Sequence, residues 1–183
     1  MVTLSDETLI EQSRRWVSSV VVGLNFCPFA KPVIESGDVD YKVINERSLE
    51  QCLMALSGEF KRLTENNQIE TSLLICPHGF ESFDDYLDLL AVANSLLLDE
   101  GYEGVFQLAS FHPDYCFDGL KQDDAANYTN RSPYPILHIL REKSVERALN
   151  SVSNPEKIPA RNEKVAREKG LEEMKALLGL CKG

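Results

Sequence analysis

Along this chain, segments with the apolar spacing of a helix alternate with short apolar segments typical of strands. This pattern predicts helices and strands in alternation. The first helical pattern runs from Leu9 to Val20, where apolar residues recur on one face. It follows Ser5, a residue type that caps helices, and two acidic residues stand in the first turn, where the helix dipole favours them. We therefore predict a helix that begins near Ser5 and ends around Gly23.

The rest of the pattern predicts four strands and further helices. The predicted strands cover residues 41–44, 70–76, 105–111 and 136–141. Helices are predicted after caps at Ser48, Ser82 and Ser144, and a charged final helix is predicted over residues 161–180. The second strand is a continuous apolar run, which is typical of a strand covered on both faces.

The order of these elements predicts the fold class. A strand, helix, strand, helix, strand succession favours right-handed crossovers and a parallel core of three strands. The fourth strand follows the third without a helix, so it can return antiparallel. We predict an α/β fold with a small mixed sheet of about four strands, a parallel core plus an antiparallel strand, packed with helices. The order of strands in the sheet stays open.

Composition narrows the class of protein. The 183 residues, 43% hydrophobic and 26% charged, fit a single domain over residues 1–183. A net charge of -10 disfavours nucleic acid and anionic membrane surfaces as partners. No signal peptide or membrane-spanning run is present, and the five cysteines suit reduced thiols, so we predict a cytoplasmic protein. The oligomeric state is not specified.

The most unusual feature is the long segment between the third and fourth strands, from Ser110 to Glu142. Loops of this length inside compact domains are uncommon and are often functional. The carboxyl ends of parallel strands share one edge of a sheet, where open α/β folds place ligands. The second strand leads into His78 and the third into His112, so we expect both histidines at that edge.

Two residues of the segment are candidates for catalysis. His112 titrates near neutrality and suits acid/base work, with Asp114 close enough in sequence to orient it. Cys27 is a third candidate, because Pro28 places it on a turn. It would be a nucleophile only if a basic neighbour or a helix N-terminus lowered its pKa; otherwise it is a small buried hydrophobe.

A second group of residues suggests ligand binding. Asn130, Arg131 and Ser132 offer amide, guanidinium and hydroxyl donors in succession, which suits a carboxylate or phosphate. His78 and Tyr115 are further candidates at the same edge. A small anion is the partner that these donors favour. No spacing of His, Cys and carboxylates matches a metal-ligand signature, and the sequence leaves the cofactor unknown.

Three segments together resemble a known family. They are Leu24-Asn25-Phe26-Cys27-Pro28-Phe29-Ala30, Phe111-His112-Pro113-Asp114-Tyr115 and Asn130-Arg131-Ser132-Pro133-Tyr134-Pro135. The chain is similar over nearly its whole length to a bacterial family catalogued only as a domain of unknown function. The resemblance implies a stand-alone bacterial protein of about this size, and it adds the Cys27 turn to the segments of interest. It implies no activity, cofactor or catalytic residue.

Three functional hypotheses remain open, and whether the protein is an enzyme is not decided. The first is a small enzyme with an anion-binding pocket, in which His112 and Asp114 act with Cys27. The second is a noncatalytic ligand-binding or protein-interaction module with the aromatic loop at 110–135 as its surface. The third makes the loop structural, a plug tied down by Arg131 and neighbouring carboxylates.

Overall fold

The computed structural model describes residues 4–183 and shows a mixed four-stranded sheet with helices on both faces. The strands are β1 (Val39–Val43), β2 (Thr71–Ile75), β3 (Phe106–Phe111) and β4 (Ile136–Arg141). The α-helices are α1 (Asp6–Trp16), α2 (Ala30–Ser36), α3 (Leu49–Glu65), α4 (Phe83–Asp99), α5 (Glu142–Asn150), α6 (Ile158–Lys169) and α7 (Leu171–Cys181). None of the helices in the described part of the chain has the length and apolar character needed to cross a bilayer.

The sheet confirms the predicted α/β class and its antiparallel fourth strand. Its order is β1-β2-β4-β3, with β1 and β2 parallel and β4 antiparallel to both of its neighbours. The predicted parallel core of three strands is thus reduced to one parallel pair, because β4 lies between β2 and β3. Leu137 and Ile139 are buried on one face of β4 and Ile136 on the other, which suits a central strand.

Each face of the sheet has its own hydrophobic core. Helices α3 and α4 cover one face, where Leu74, Leu137 and Ile139 pack against Leu56 and Tyr86. Helices α1, α6 and α7 cover the other face. That second core contains the buried side chains Trp16, Val20, Phe26, Leu73, Ile75, Tyr128, Ile136 and Met174.

Most predicted helix starts are confirmed. The hydroxyls of Ser5, Ser48 and Ser82 accept hydrogen bonds from the backbone N–H three residues on. Ser144 does not cap a helix, because α5 already begins at Glu142 without a side-chain cap. The predicted final helix is two helices, α6 and α7, separated at Gly170, whose φ is +84°.

The first helix changes its winding before it ends. After α1 the backbone continues as a π-helix over Val17–Val22, and the N–H of Gly23 donates to Ser18 five residues back. A Cβ at Gly23 would lie 2.2 Å from the carbonyl oxygen of Ser19, so only glycine fits. Helix α2 then begins three residues after Cys27, where the sequence predicted no helix.

Candidate functional site

The carboxyl ends of β1, β2 and β3 lie at one edge of the sheet, as the sequence predicted. Ile75 and Phe111 both pair with Ile136, the first residue of β4. Residues 112–135 therefore start and finish at this edge. The N–H of His112 donates to Asn130 and the N–H of Ser132 donates to His112, so the two ends of the loop are bonded together.

His112 lies inside this loop and is fully buried, with 0% of its surface exposed. Its Nδ1 accepts a hydrogen bond from the backbone N–H of Asp114 at 3.0 Å, so Nε2 carries the proton and donates to the carbonyl of Phe80 at 2.9 Å. Burial lowers the pKa of His112. Both ring nitrogens are occupied, which leaves no lone pair for the predicted proton transfer. Asp114 orients the ring through its backbone, while its side chain is exposed.

Arg131 is also turned inward, with 8% of its surface exposed. Its Nε donates to the carbonyl of Tyr115 at 3.0 Å. Its Nη2 donates to both the carbonyl and the side-chain oxygen of Gln122, each at 2.9 Å. The guanidinium carbon lies 4.7 Å from the centre of the Tyr128 ring. These partners are carbonyls and an aromatic ring, whereas the plug hypothesis expected carboxylates.

The other predicted ligand-binding residues have different surroundings. Asn130 donates through Nδ2 to the carbonyl of Ser110 at 3.2 Å, and Ser132 donates to the carbonyl of Tyr134 at 2.5 Å. Tyr115 packs against Phe83, with ring centres 5.1 Å apart. His78 is half-buried at the same edge. Asn130 and Ser132 thus use their donors within the loop.

The aromatic rings of the loop do not form an outward patch. Tyr128 is buried under Arg131, and Tyr115 and Phe117 pack on each other with centres 4.9 Å apart. The Tyr134 hydroxyl donates to the side-chain oxygen of Gln12. Buried Asn127, which the sequence analysis did not single out, joins Phe117 and Lys121 through its amide. These contacts favour the plug among the three hypotheses.

A cavity of about 340 Å³ lies on the opposite half of the sheet, towards the amino ends of β1, β2 and β3. Its floor consists of two rows of side chains that share register across the four strands. The first row is Val39, Thr71, Leu140 and Gln107, and the second contains Leu73, His138 and Ala109. The lining is predominantly apolar, and the cavity brings Cys27 together with His138 but does not include His112.

The roof of the cavity comes from the N-terminal segment. Trp16, Val17 and Val21 project from the end of α1 and the π-helix. Cys27, Phe29, Ala30, Val33 and Ile34 come from the following turn and α2, and Ser144, Val145 and Ala148 of α5 form a side wall. Turns of π-helix within α-helices occur frequently at functional sites.

Helix α6 holds the Cys27 turn in place. The Asn162 side chain donates to the carbonyl of Phe26 at 2.6 Å, and Arg161 donates to the carbonyl of Asn25 at 2.6 Å. Asn25 has a φ of +56°, in the left-handed region that asparagine tolerates. Burial raises the pKa of the Cys27 thiol, so the protonated form is favoured and nucleophilic character is reduced.

A short hydrogen-bond chain crosses the floor of the cavity. Thr71 donates to the carbonyl of Ile139 at 2.6 Å, and Nε2 of His138 lies 2.6 Å from the same Thr71 hydroxyl. A hydroxyl has one hydrogen, so Nε2 of His138 carries a proton and donates to Thr71. Burial lowers the pKa of His138 to about 4, which keeps the ring neutral at pH 7.

The charged side chains of the lining already have partners. Arg141 donates to the carbonyls of Leu63, Ile69 and Asn66. Glu70 pairs with Arg147 at 3.5 Å. Within residues 4–183, no group of three His, Cys, Asp or Glu side chains is arranged to hold a metal ion.

The sequence contains one signal for this cavity, and it lies in the predicted fourth strand. His138 stands between Ile136 and Leu140 on the same face of an apolar strand, and a polar residue at a buried strand position needs a partner or a function. The other lining residues are ordinary core types. Nothing in their order distinguishes a wall of a cavity from the interior of a packed core.

Comparison with known proteins identifies a family for this chain. No curated protein and no solved structure matches the chain. A family model, described as "Protein of unknown function (DUF1415)", matches residues 8–176, a range that includes both the 112–135 loop and the cavity. The chain therefore belongs to this family of unknown function.

Proposed function

We propose that this protein binds a mainly apolar small molecule in the cavity between the sheet and the N-terminal helices. This proposal keeps the hypothesis of a noncatalytic ligand-binding module. It places the site on the opposite half of the sheet from the aromatic loop. No catalytic step is assigned, because burial favours the protonated thiol of Cys27 and Arg141 of the same lining already donates to backbone carbonyls.

The observation that carries the proposal is the size of the cavity together with its lining. A volume of about 340 Å³ falls in the range of small-molecule sites. The mainly apolar walls offer few hydrogen-bond partners to water, so they favour an apolar ligand.

The predicted anionic ligand has less support than a neutral one. Arg131 and Asn130 use their donors on backbone carbonyls of the loop. Arg141, the one arginine among the described lining residues, is similarly engaged. An anion in the cavity would lose its hydration without gaining an unpaired cation, which is unfavourable.

The experiment uses 4-ethyltoluene as a neutral apolar probe and the full chain. We expect the melting temperature to rise with probe concentration, because a ligand that binds only the folded state stabilises it. Trp16 is the single tryptophan of the chain and lines the cavity, so its fluorescence reports occupancy independently.

A pair of matched variants locates the binding. Ala109→Leu extends a side chain from the floor into the cavity, whereas Ala91→Leu adds the same atoms at an exposed position of α4. We expect the first variant to lose the response to the probe and the second to keep it. An unchanged melting temperature in the unmodified protein, or an equal response in both variants, would refute the proposed function.

A further inference from the structure

We propose that the ligand of this cavity is a neutral, mostly apolar molecule with one hydroxyl or N–H group that donates a hydrogen bond to Nδ1 of His138. This inference rests on the proposed function and names the chemical class of its ligand. Phenols, aliphatic or alicyclic alcohols and indole-like amines share this chemistry.

The hydrogen-bond chain in the floor identifies Nδ1 as the acceptor. Because Nε2 of His138 donates to Thr71, which donates onward to Ile139, the neutral ring has its lone pair on Nδ1. No residue in the range 4–183 donates a hydrogen bond to that atom. Strand pairing with Leu73 and Ala109 fixes the ring in the second row of the floor.

His138 lies beside the cavity as one of its lining residues. Among the described residues, the one fully buried side-chain nitrogen or oxygen atom without a partner is Nε1 of Trp16, so Nδ1 of His138 is not among the fully buried unpaired atoms. An unpaired acceptor on a residue that lines an apolar space is satisfied by a donor on the occupant of that space.

The same geometry selects against charged ligands. A carboxylate would present lone pairs to the lone pair of Nδ1, and the neutral imidazole offers it no donor there. An ammonium group would gain one acceptor but would be desolvated without a counter-charge, since Glu70 already pairs with Arg147. A neutral donor meets neither penalty.

Three ligands of similar shape test this selection: 4-ethylphenol, 4-ethyltoluene and 4-ethylbenzoate. We expect the phenol to bind the unmodified protein at least as tightly as the toluene and far more tightly than the benzoate. In His138→Leu, which removes the acceptor at similar volume, the ratio of phenol to toluene affinity should fall about tenfold, the value of one neutral hydrogen bond.

Leu140→Met is the matched control, because it alters the floor on the same face of β4 and leaves Nδ1 in place. Both affinities can shift in this variant, but their ratio should not. If the toluene binds and the ratio is unchanged in His138→Leu, the inference is wrong while the proposed function stands. If the benzoate binds best, the inference is wrong as well. If none of the three binds, the proposed function itself fails.

A measurement on the unmodified protein covers the case in which His138→Leu does not fold. Long-range ¹H–¹⁵N spectra resolve the ring nitrogens of the three histidines. We expect His138 as the Nε2–H tautomer, with an Nδ1 resonance that moves when 4-ethylphenol is added and stays when 4-ethyltoluene is added. A protonated Nδ1, or the same response to both ligands, would contradict the inference.

Discussion

Replacing Arg131 by alanine tests whether the long loop is a structural plug or a ligand-binding element. The side chain is 8% exposed and donates three hydrogen bonds, to Tyr115 and Gln122, while it stacks over Tyr128. Removing it leaves two backbone carbonyls of the loop without their donor. A binding arginine, in contrast, could be removed with little loss of stability.

These contacts determine how much stability Arg131→Ala should lose. A hydrogen bond from a charged donor contributes about 1.5–3 kcal/mol, and a cation over an aromatic ring about 0.5–2 kcal/mol. Water that enters the space left by the side chain restores part of the lost hydrogen bonding. The variant also avoids the free-energy cost of burying the charged guanidinium. We therefore expect Arg131→Ala to lower the free energy of unfolding by about 3–5 kcal/mol.

The assay is urea unfolding followed by Trp16 fluorescence and far-ultraviolet circular dichroism. Arg167→Ala is the control, since it removes an arginine that joins the same loop to α6 through Asp124 but is 45% exposed. Exposed ion pairs contribute little to stability, because water and salt screen them. If Arg131→Ala were no more destabilising than Arg167→Ala, the plug interpretation would fail and the predicted anion-binding role would regain support.

Three further predictions follow from the pKa values and the backbone. The folded protein should lose stability as the pH falls from about 6.5 towards 4. The reason is that His138 takes up a proton near pH 6.5 in the unfolded chain but only near pH 4 in the folded protein. The full loss in the free energy of unfolding is about 3 kcal/mol, and urea unfolding at each pH measures it. Gly79→Ala should destabilise by about 3 kcal/mol or more, because its φ is +87° and a Cβ would lie 2.4 Å from the carbonyl oxygen of Arg47. Cys27 should react slowly with a thiol reagent at pH 7, and more slowly still with 4-ethyltoluene bound, as measured by mass spectrometry.

Each of these predictions has its own control. His138→Leu should reduce the pH dependence and leave the part that comes from His112, whose pKa burial also lowers, whereas Leu140→Met should leave the pH dependence unchanged. An equal slope in both variants would show that another group is responsible. Gly37 has a φ of +80° with no atom within 4 Å of the added Cβ, so Gly37→Ala isolates the left-handed strain of about 1 kcal/mol. Equal losses in the two glycine variants would exclude the clash. Fast, selective labelling of Cys27 would instead favour the predicted nucleophile.

The elements of this fold could be predicted because they depend on local physics. Ser5, Ser48 and Ser82 cap their helices through hydrogen bonds that span three residues, and the sequence contains both partners. The place of β4 could not be predicted in the same way. Its insertion between β2 and β3 depends on long-range pairing, in which Ile136 meets Ile75 on one side and Phe111 on the other.

The candidate site was harder to predict for a different reason. Arg131 and His112 are residue types that serve ligands and structure equally well, and the demand of buried loop carbonyls for donors exists only in three dimensions. The cavity could not be predicted because, His138 aside, its lining residues carry no signal of a site. Val33 and Ala109 are ordinary small apolar residues in the sequence, and the space between such residues has no counterpart in the order of residues.

The position of β4 has a consequence for the way this chain folds as it is synthesised. The parallel pair of β1 and β2 is made first, and the free side of β2 is complementary to β4 rather than to β3, which follows it in the chain. All five residues of β2 are buried in the finished sheet, and an unpaired apolar edge promotes association between chains. The nascent protein therefore carries an aggregation-prone strand until residues 136–141 emerge, and chains that end before this point should be retained by chaperones or precipitate.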